Sequence, residues 1–196
     1  MRYGCRVDRS IVRYIGRTRY DPFAKPPWMG GGGTAGERNV PVHARLLLSA
    51  LYKEGLLPVV GQFAVAARAN RVATAADLLA MDSRDGSLVV VELKCGYAGE
   101  RDAAAFDGNN MHPPLASLPD TVRNRHLAQL AATVELVRQD ESIQSIHSQM
   151  TTMDGTPAPR AVRGILLHAT VDRVEVSWLS DNWLARGRLI LARCVA

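Results

Sequence analysis

The sequence predicts an α/β domain, a mixed β-sheet flanked by helices in the order αβββαβ, behind an extended basic N-terminal arm. Three observations predict it. Apolar residues recur at helical spacing in two stretches, and apolar runs of strand length lie between and after them. The segment Asp82–Gly86 (DSRDG) separates two of those runs with hairpin chemistry, because Asp-Gly tolerates positive φ. Residues 1–39 carry Pro22, Pro26, Pro27 and the run Gly30–Gly33 without a sustained apolar period, which predicts extended chain there and a folded domain over 40–196.

The domain opens with a helix over 41–54. Leu47, Leu48, Leu51 and Tyr52 fall at helical spacing, Pro41 suits a first turn and Gly55 a stop. A strand over 57–66 follows, then strands over 72–81 and 87–94 around the Asp-Gly turn, where Asp82 and Asp85 read as turn residues. Residues 95–119 form a long irregular connection, the kind of segment that is functional or a surface loop. A helix then runs from Asp120 or Thr121, either of which can cap it, to about Gln139. Residues 140–159 read as a helix tail and polar loop. Two strands over 162–170 and 174–179 and a third over 188–195 complete the chain.

Composition narrows the function classes. The chain has 196 residues, room for one domain with a sizeable core, and 47% of them are hydrophobic, as in ordinary globular proteins. Apolar runs such as 88–91 and 164–167 are far too short to span a bilayer, so a soluble protein with no membrane partner is expected. Cys5, Cys95 and Cys194 match neither a zinc spacing nor a disulfide framework, which points to an intracellular, reducing compartment. Residues 1–38 hold eight basic and three acidic residues, a net of +5 that equals the excess of the whole chain. Such an arm suits phosphate contacts, a transit peptide or a solvated tail, and the sequence does not separate them.

The segment that carries chemistry is Val89-Val90-Val91-Glu92-Leu93-Lys94. Three valines mark a buried strand. Glu92 and Lys94, two apart, share one face of it, and burying either charge is costly unless it is paired or bound. A four-residue loop at 83–86 pairs residues whose numbers sum to 169 and sets Asp77 opposite Glu92. A two-residue Asp85-Gly86 turn gives 171 and sets Asp77 opposite Lys94. Either register brings Asp77 to the same face. Two carboxylates meeting there repel, and a divalent cation relieves the conflict: Mg²⁺ or Mn²⁺ held by Asp77, Glu92 and the backbone carbonyl of Leu93, with Lys94 acting on water or phosphate charge. The bland alternative is a cross-strand ion pair on a solvated sheet face, against which the valines argue.

Asp77, a hairpin, then Glu92-Leu93-Lys94 resembles the D…(D/E)-x-K signature of the PD-(D/E)XK nuclease superfamily, and the predicted element order resembles its restriction-endonuclease-like core. Two flanking features resemble the RecB-like and lambda-exonuclease-like branch. Val42-His43-Ala44 resembles its metal-reaching histidine on the first core helix. His126-Leu127-Ala128-Gln129-Leu130 resembles the start of its Q-x-x-x-Y pattern, although Thr133 stands where tyrosine is expected. The resemblance spans roughly residues 40–140. It implies a Mg²⁺- or Mn²⁺-dependent DNA nuclease, exonuclease ahead of endonuclease, with His43 as a further metal ligand and Gln129 positioning water, Lys94 or phosphate.

The candidate DNA contacts are Arg123 and Arg125 at the start of the second helix, Tyr97 just after the strand, and Arg13, Arg17 and Arg19 in the arm. Solvated faces explain the arginines as well, and His43 reads equally as a surface or core histidine. Two rival readings stand beside the first. One is a catalytically silent nuclease fold that serves as a structural or nucleic-acid-binding part of a larger protein or nucleoprotein assembly, reached through the arm. The other is a restriction-type or junction-resolving endonuclease acting as a homodimer.

Overall fold

A computed structural model describes residues 2–17, 26, 29, 40–67, 72–96, 109–149, 156, 157, 159, 161–170 and 172–194. The elements in chain order are α1 (Arg2–Arg17), α2 (Val42–Lys53), β1 (Leu56–Ala67), β2 (Val72–Asp82), β3 (Leu88–Cys95), α3 (Val122–Gln139), α4 (Glu141–Ser148), β4 (Val162–Ala169), β5 (Val174–Trp178) and α5 (Asp181–Arg193). The strands form one five-stranded mixed sheet in the order β1-β2-β3-β4-β5. Every neighbouring pair is antiparallel except β3 and β4, which run parallel through the crossover of α3 and α4. The protein is thus α/β, a mixed sheet flanked by helices.

The sheet buries both faces. Val89, Val91 and Leu93 pack with Leu47, Leu48 and Leu51 of α2 and with Ile165 and Leu167 of β4. On the other face Leu88, Val90 and Leu166 pack with Leu127, Leu130, Val134 and Val137 of α3 and Leu191 of α5. The near-continuous apolar run of β3 answers to a strand covered on both sides. Thr121 caps α3 by accepting from the Asn124 N–H, and Gly55 takes φ +70° to end the turn after α2.

Three expectations are corrected. Residues 2–17 are helix, not extended chain. Val7 and Ile11 are buried in the cluster of α2 and β3, with Tyr14 and Ile15 packed against it. Their spacing of four and three is a helical stripe, which the arginines between them and the Pro/Gly stretch beyond obscured. Among the described residues, 188–194 supply no third strand. The apolar run Leu189–Leu191 belongs to α5, whose period through Leu184, Gly187 and Leu191 lays it on α3. Gly187 makes that close approach possible, since a Cβ there would lie 2.4 Å from Ala131 O. The observed order is therefore αα-βββ-αα-ββ-α, with α4 a helix of its own capped by Asp140 rather than a tail of α3.

The packing of α1 gives a direct test. Ile11→Ala removes a side chain that is 1% exposed and is expected to destabilise the fold by about 2–5 kcal/mol. A urea midpoint that does not move would return residues 2–17 to the status of an arm.

Candidate active site

The β2–β3 hairpin adopts the register whose numbers sum to 169, from Met81↔Leu88 to Leu78↔Val91. The ladder then stops, while β2 continues along β1 as far as Val72↔Ala67. β2 and β3 therefore part just before Asp77 and Glu92. The parting coincides with a kink: Leu78 packs toward α2 and Leu79 toward α3, yet Ala76 packs toward α3 again. Across on β1, Gln62 has φ +50°. Counted from Leu79, alternation sets Asp77 on the α3 side of the sheet, and the phase breaks only after it, at Ala76.

In the opening, the Asp77 carboxylate takes over from the missing ladder, and Leu93 N–H donates to its Oδ2 at 2.8 Å. Glu92 and Lys94 follow the alternation of Leu88 and Val90 onto the α3 side of the sheet. Lys94 Nζ donates to Glu92 Oε1 at 2.5 Å, and Glu92 is buried at 1% exposure. Burial pushes the Asp77 carboxyl above its ordinary range, opposed by the Leu93 N–H and by the charge of Lys94. Lys94 thus stands between the two carboxylates, bonded to Glu92 and acting through its charge on Asp77, and the three formal charges sum to −1.

The flanking candidates fare differently. Among the described residues no group of three or more His, Cys, Asp and Glu side chains is arranged to hold a metal. His43 sits half-buried on α2, the helix that packs on the opposite face. Gln129 is exposed. It lines a cavity of about 440 Å³ with Met111, His112, Leu115, Arg125 and Ile190, and none of the three central residues lines that cavity. Arg125 is engaged with Asp120 through two bonds of 2.6 Å, and Arg123 is half-buried beside it. Arg13 is exposed on α1. Tyr97, Arg19 and the side chain of Arg17 lie outside the described residues. Asp82, read as a turn residue, is fully buried and ion-paired with Arg84 and Arg163.

One polar residue at this end of the sheet escaped the sequence reading. His168, 6% exposed, is the β4 partner of Lys94, and its Nε2–H donates to Gly96 O at 3.0 Å. A lone histidine closing the apolar run Gly164–Leu167 was the available signal.

The donor set fits a hard divalent cation in kind. Mg²⁺ is commonly held by one or two carboxylates and completed by substrate oxygens and water rather than by a full protein cage. Asp77, whose buried charge is only partly offset, and Glu92 are groups of that kind. No family model and no curated protein matches the chain. No helix among the described residues is long and apolar enough to cross a membrane.

Proposed function

We propose that the protein is a metal-dependent DNA nuclease that hydrolyses phosphodiester bonds at Asp77, Glu92 and Lys94. The observation that supports the reading is that, where β2 and β3 part, Asp77 bonds the backbone N–H between Glu92 and Lys94 while Lys94 bonds Glu92. Asp77 and Glu92 would hold the cation. When bound, the cation supplies positive charge against the phosphate oxygens and lowers the cost of ionising water. Lys94 presents its ammonium beside the same carboxylates, where it orients the attacking water and offsets charge that develops on phosphorus-bound oxygen. Exonuclease stands ahead of endonuclease on the RecB-like details of the resemblance alone, and Arg123 and Arg125 are candidate phosphate contacts.

The test is cleavage of end-labelled linear and closed circular duplex DNA by purified protein with Mg²⁺, with Mn²⁺ and with chelator. Metal-dependent loss of linear DNA is expected, and cleavage of closed circles would reassign the activity as endonucleolytic. No cleavage with either metal would overturn the reading. One observation favours the rival, a silent nuclease fold within a nucleoprotein assembly: no third ligand accompanies the two carboxylates among the described residues, and Lys94 is already bonded to Glu92. Metal-independent DNA binding that survives Lys94→Ala, without cleavage, is the result that reading predicts.

A further inference from the structure

Beyond Val91, β3 has lost its ladder to β2, and the bond from Leu93 N–H to Asp77 is what links it back. The backbone that carries Glu92 and Lys94 is therefore held mainly from the other side. There β4 pairs with it residue by residue, through Glu92↔Leu166, Lys94↔His168 and Cys95↔Ala169. The strand ends at Cys95, and Gly96, two residues after Lys94, takes a φ of +112°. This end is clamped twice. Gly96 N–H donates to Ala169 O at 3.2 Å, and His168 donates to Gly96 O at 3.0 Å. A carbonyl only accepts, so the proton of that second bond sits on Nε2.

The face of His168 is settled by its neighbours. Leu166, two residues earlier, packs with α3, the side to which Glu92 and Lys94 also point. Across β5, His168 is paired with Glu175, and Val174 and Trp178 on either side of Glu175 pack toward α2. Lys94, His168 and Glu175 thus make one cross-strand row on the site face, beside the carboxylates.

We infer that His168 is a positioning residue of the proposed nuclease site: by holding the Gly96 carbonyl it fixes the end of β3 and with it the direction of the Lys94 ammonium. The ordinary reading, a histidine satisfied inside an apolar strand, predicts only a stability effect. Positioning predicts more, because a displacement of about 1 Å at a reacting group costs on the order of 10²-fold in rate. The inference rests on the nuclease reading for its consequence in catalysis, but not for its structural half.

Two volume-filling variants separate the readings. His168→Gln keeps an N–H donor near the position of Nε2, and His168→Leu fills the space without one. Under Mg²⁺ with duplex DNA, His168→Leu should lose roughly 10–100-fold in kcat with KM unchanged, and His168→Gln should recover most of it. Combined with Lys94→Ala, His168→Leu should cost nothing further, since both act on one group. In parallel, amide hydrogen exchange at Lys94–Gly96 should quicken in His168→Leu and stay slow in His168→Gln. Full kcat in a folded His168→Leu protein overturns the catalytic role. Unchanged exchange at Lys94–Gly96 overturns the clamp. If wild-type protein cleaves no DNA, the nuclease reading fails by itself, and the exchange measurement still decides whether His168 fixes the strand end.

Discussion

Asp77→Asn is expected to abolish metal-dependent DNA cleavage, a loss of about 10²–10⁴-fold or more, while leaving the fold as stable as before or more so at pH 7. The two halves of that expectation have one cause. The carboxyl of Asp77 lies above its ordinary range because burial disfavours its charge, and the Leu93 N–H and Lys94 compensate only in part. A carboxyl raised in the folded state weakens folding wherever the unfolded chain would ionise it, that is, at any pH above its ordinary value. Asparagine keeps an oxygen for the Leu93 N–H and carries no charge, so the burden disappears. Thermal unfolding of the two proteins should converge as the pH falls and wild-type Asp77 takes up its proton. Lys94→Ala should lose activity on the same scale but not share the gain. It strips the ammonium from a carboxylate only 1% exposed, which destabilises. A marked fall in melting temperature for Asp77→Asn at pH 7 would make residue 77 a structural anchor and remove the signature of a site kept for function at a cost in stability.

The parts of this arrangement that were legible in the sequence are those fixed by local chemistry. Asp85-Gly86 sets a turn whose closing bonds, Asp82 N–H to Ser87 O and Gly86 N–H to Asp82 O, carry the register out to Val91. The valines of β3 announce burial on both faces, and a spacing of two places Glu92 with Lys94. The kink at Asp77 is different in kind. It lies where β1 carries Gln62, a residue in the left-handed region without glycine's freedom, and where β2 and β3 separate, and no local pattern encodes either. His168 was missed because a parallel register is set by packing of the crossover helices rather than by a turn. Gln129 is placed by a different rule. Leu127, Leu130, Val134 and Val137 fix the phase of α3, and that phase alone turns residue 129 to solvent. On α1 the same period was present at Val7, Ile11 and Tyr14, beneath a charge pattern that suggested an arm.

At the far end of the hairpin, Asp82→Ala is expected to cost about 3 kcal/mol, one of the larger single-residue losses this fold offers outside its apolar core. The carboxylate is fully buried and joins three segments. Arg84 gives it a backbone N–H and its guanidinium, and Arg163 reaches it from β4 with a bond of 2.5 Å. Arg163 is itself braced by Ser87 Oγ and by the Trp178 ring, 5.2 Å from its guanidinium. Burial by itself would raise the Asp82 carboxyl. The bonds from Arg84 and Arg163 outweigh it and hold the group at about 2, against an ordinary 3.8. The sign follows from that order. A carboxyl lowered by folding contributes stability that is complete above about pH 4 and is lost as the pH falls toward 2, as the folded state is forced to take up the proton. Asp82→Asn, uncharged throughout, should therefore be less stable than wild type by roughly 2 kcal/mol near neutrality, with the difference closing between about pH 4 and pH 2. Urea midpoints for the pair across that range measure it. A difference that stays constant to pH 2 would assign the effect to shape rather than charge, and the hairpin that delivers Asp77 and Glu92 would then owe its register to the turn alone.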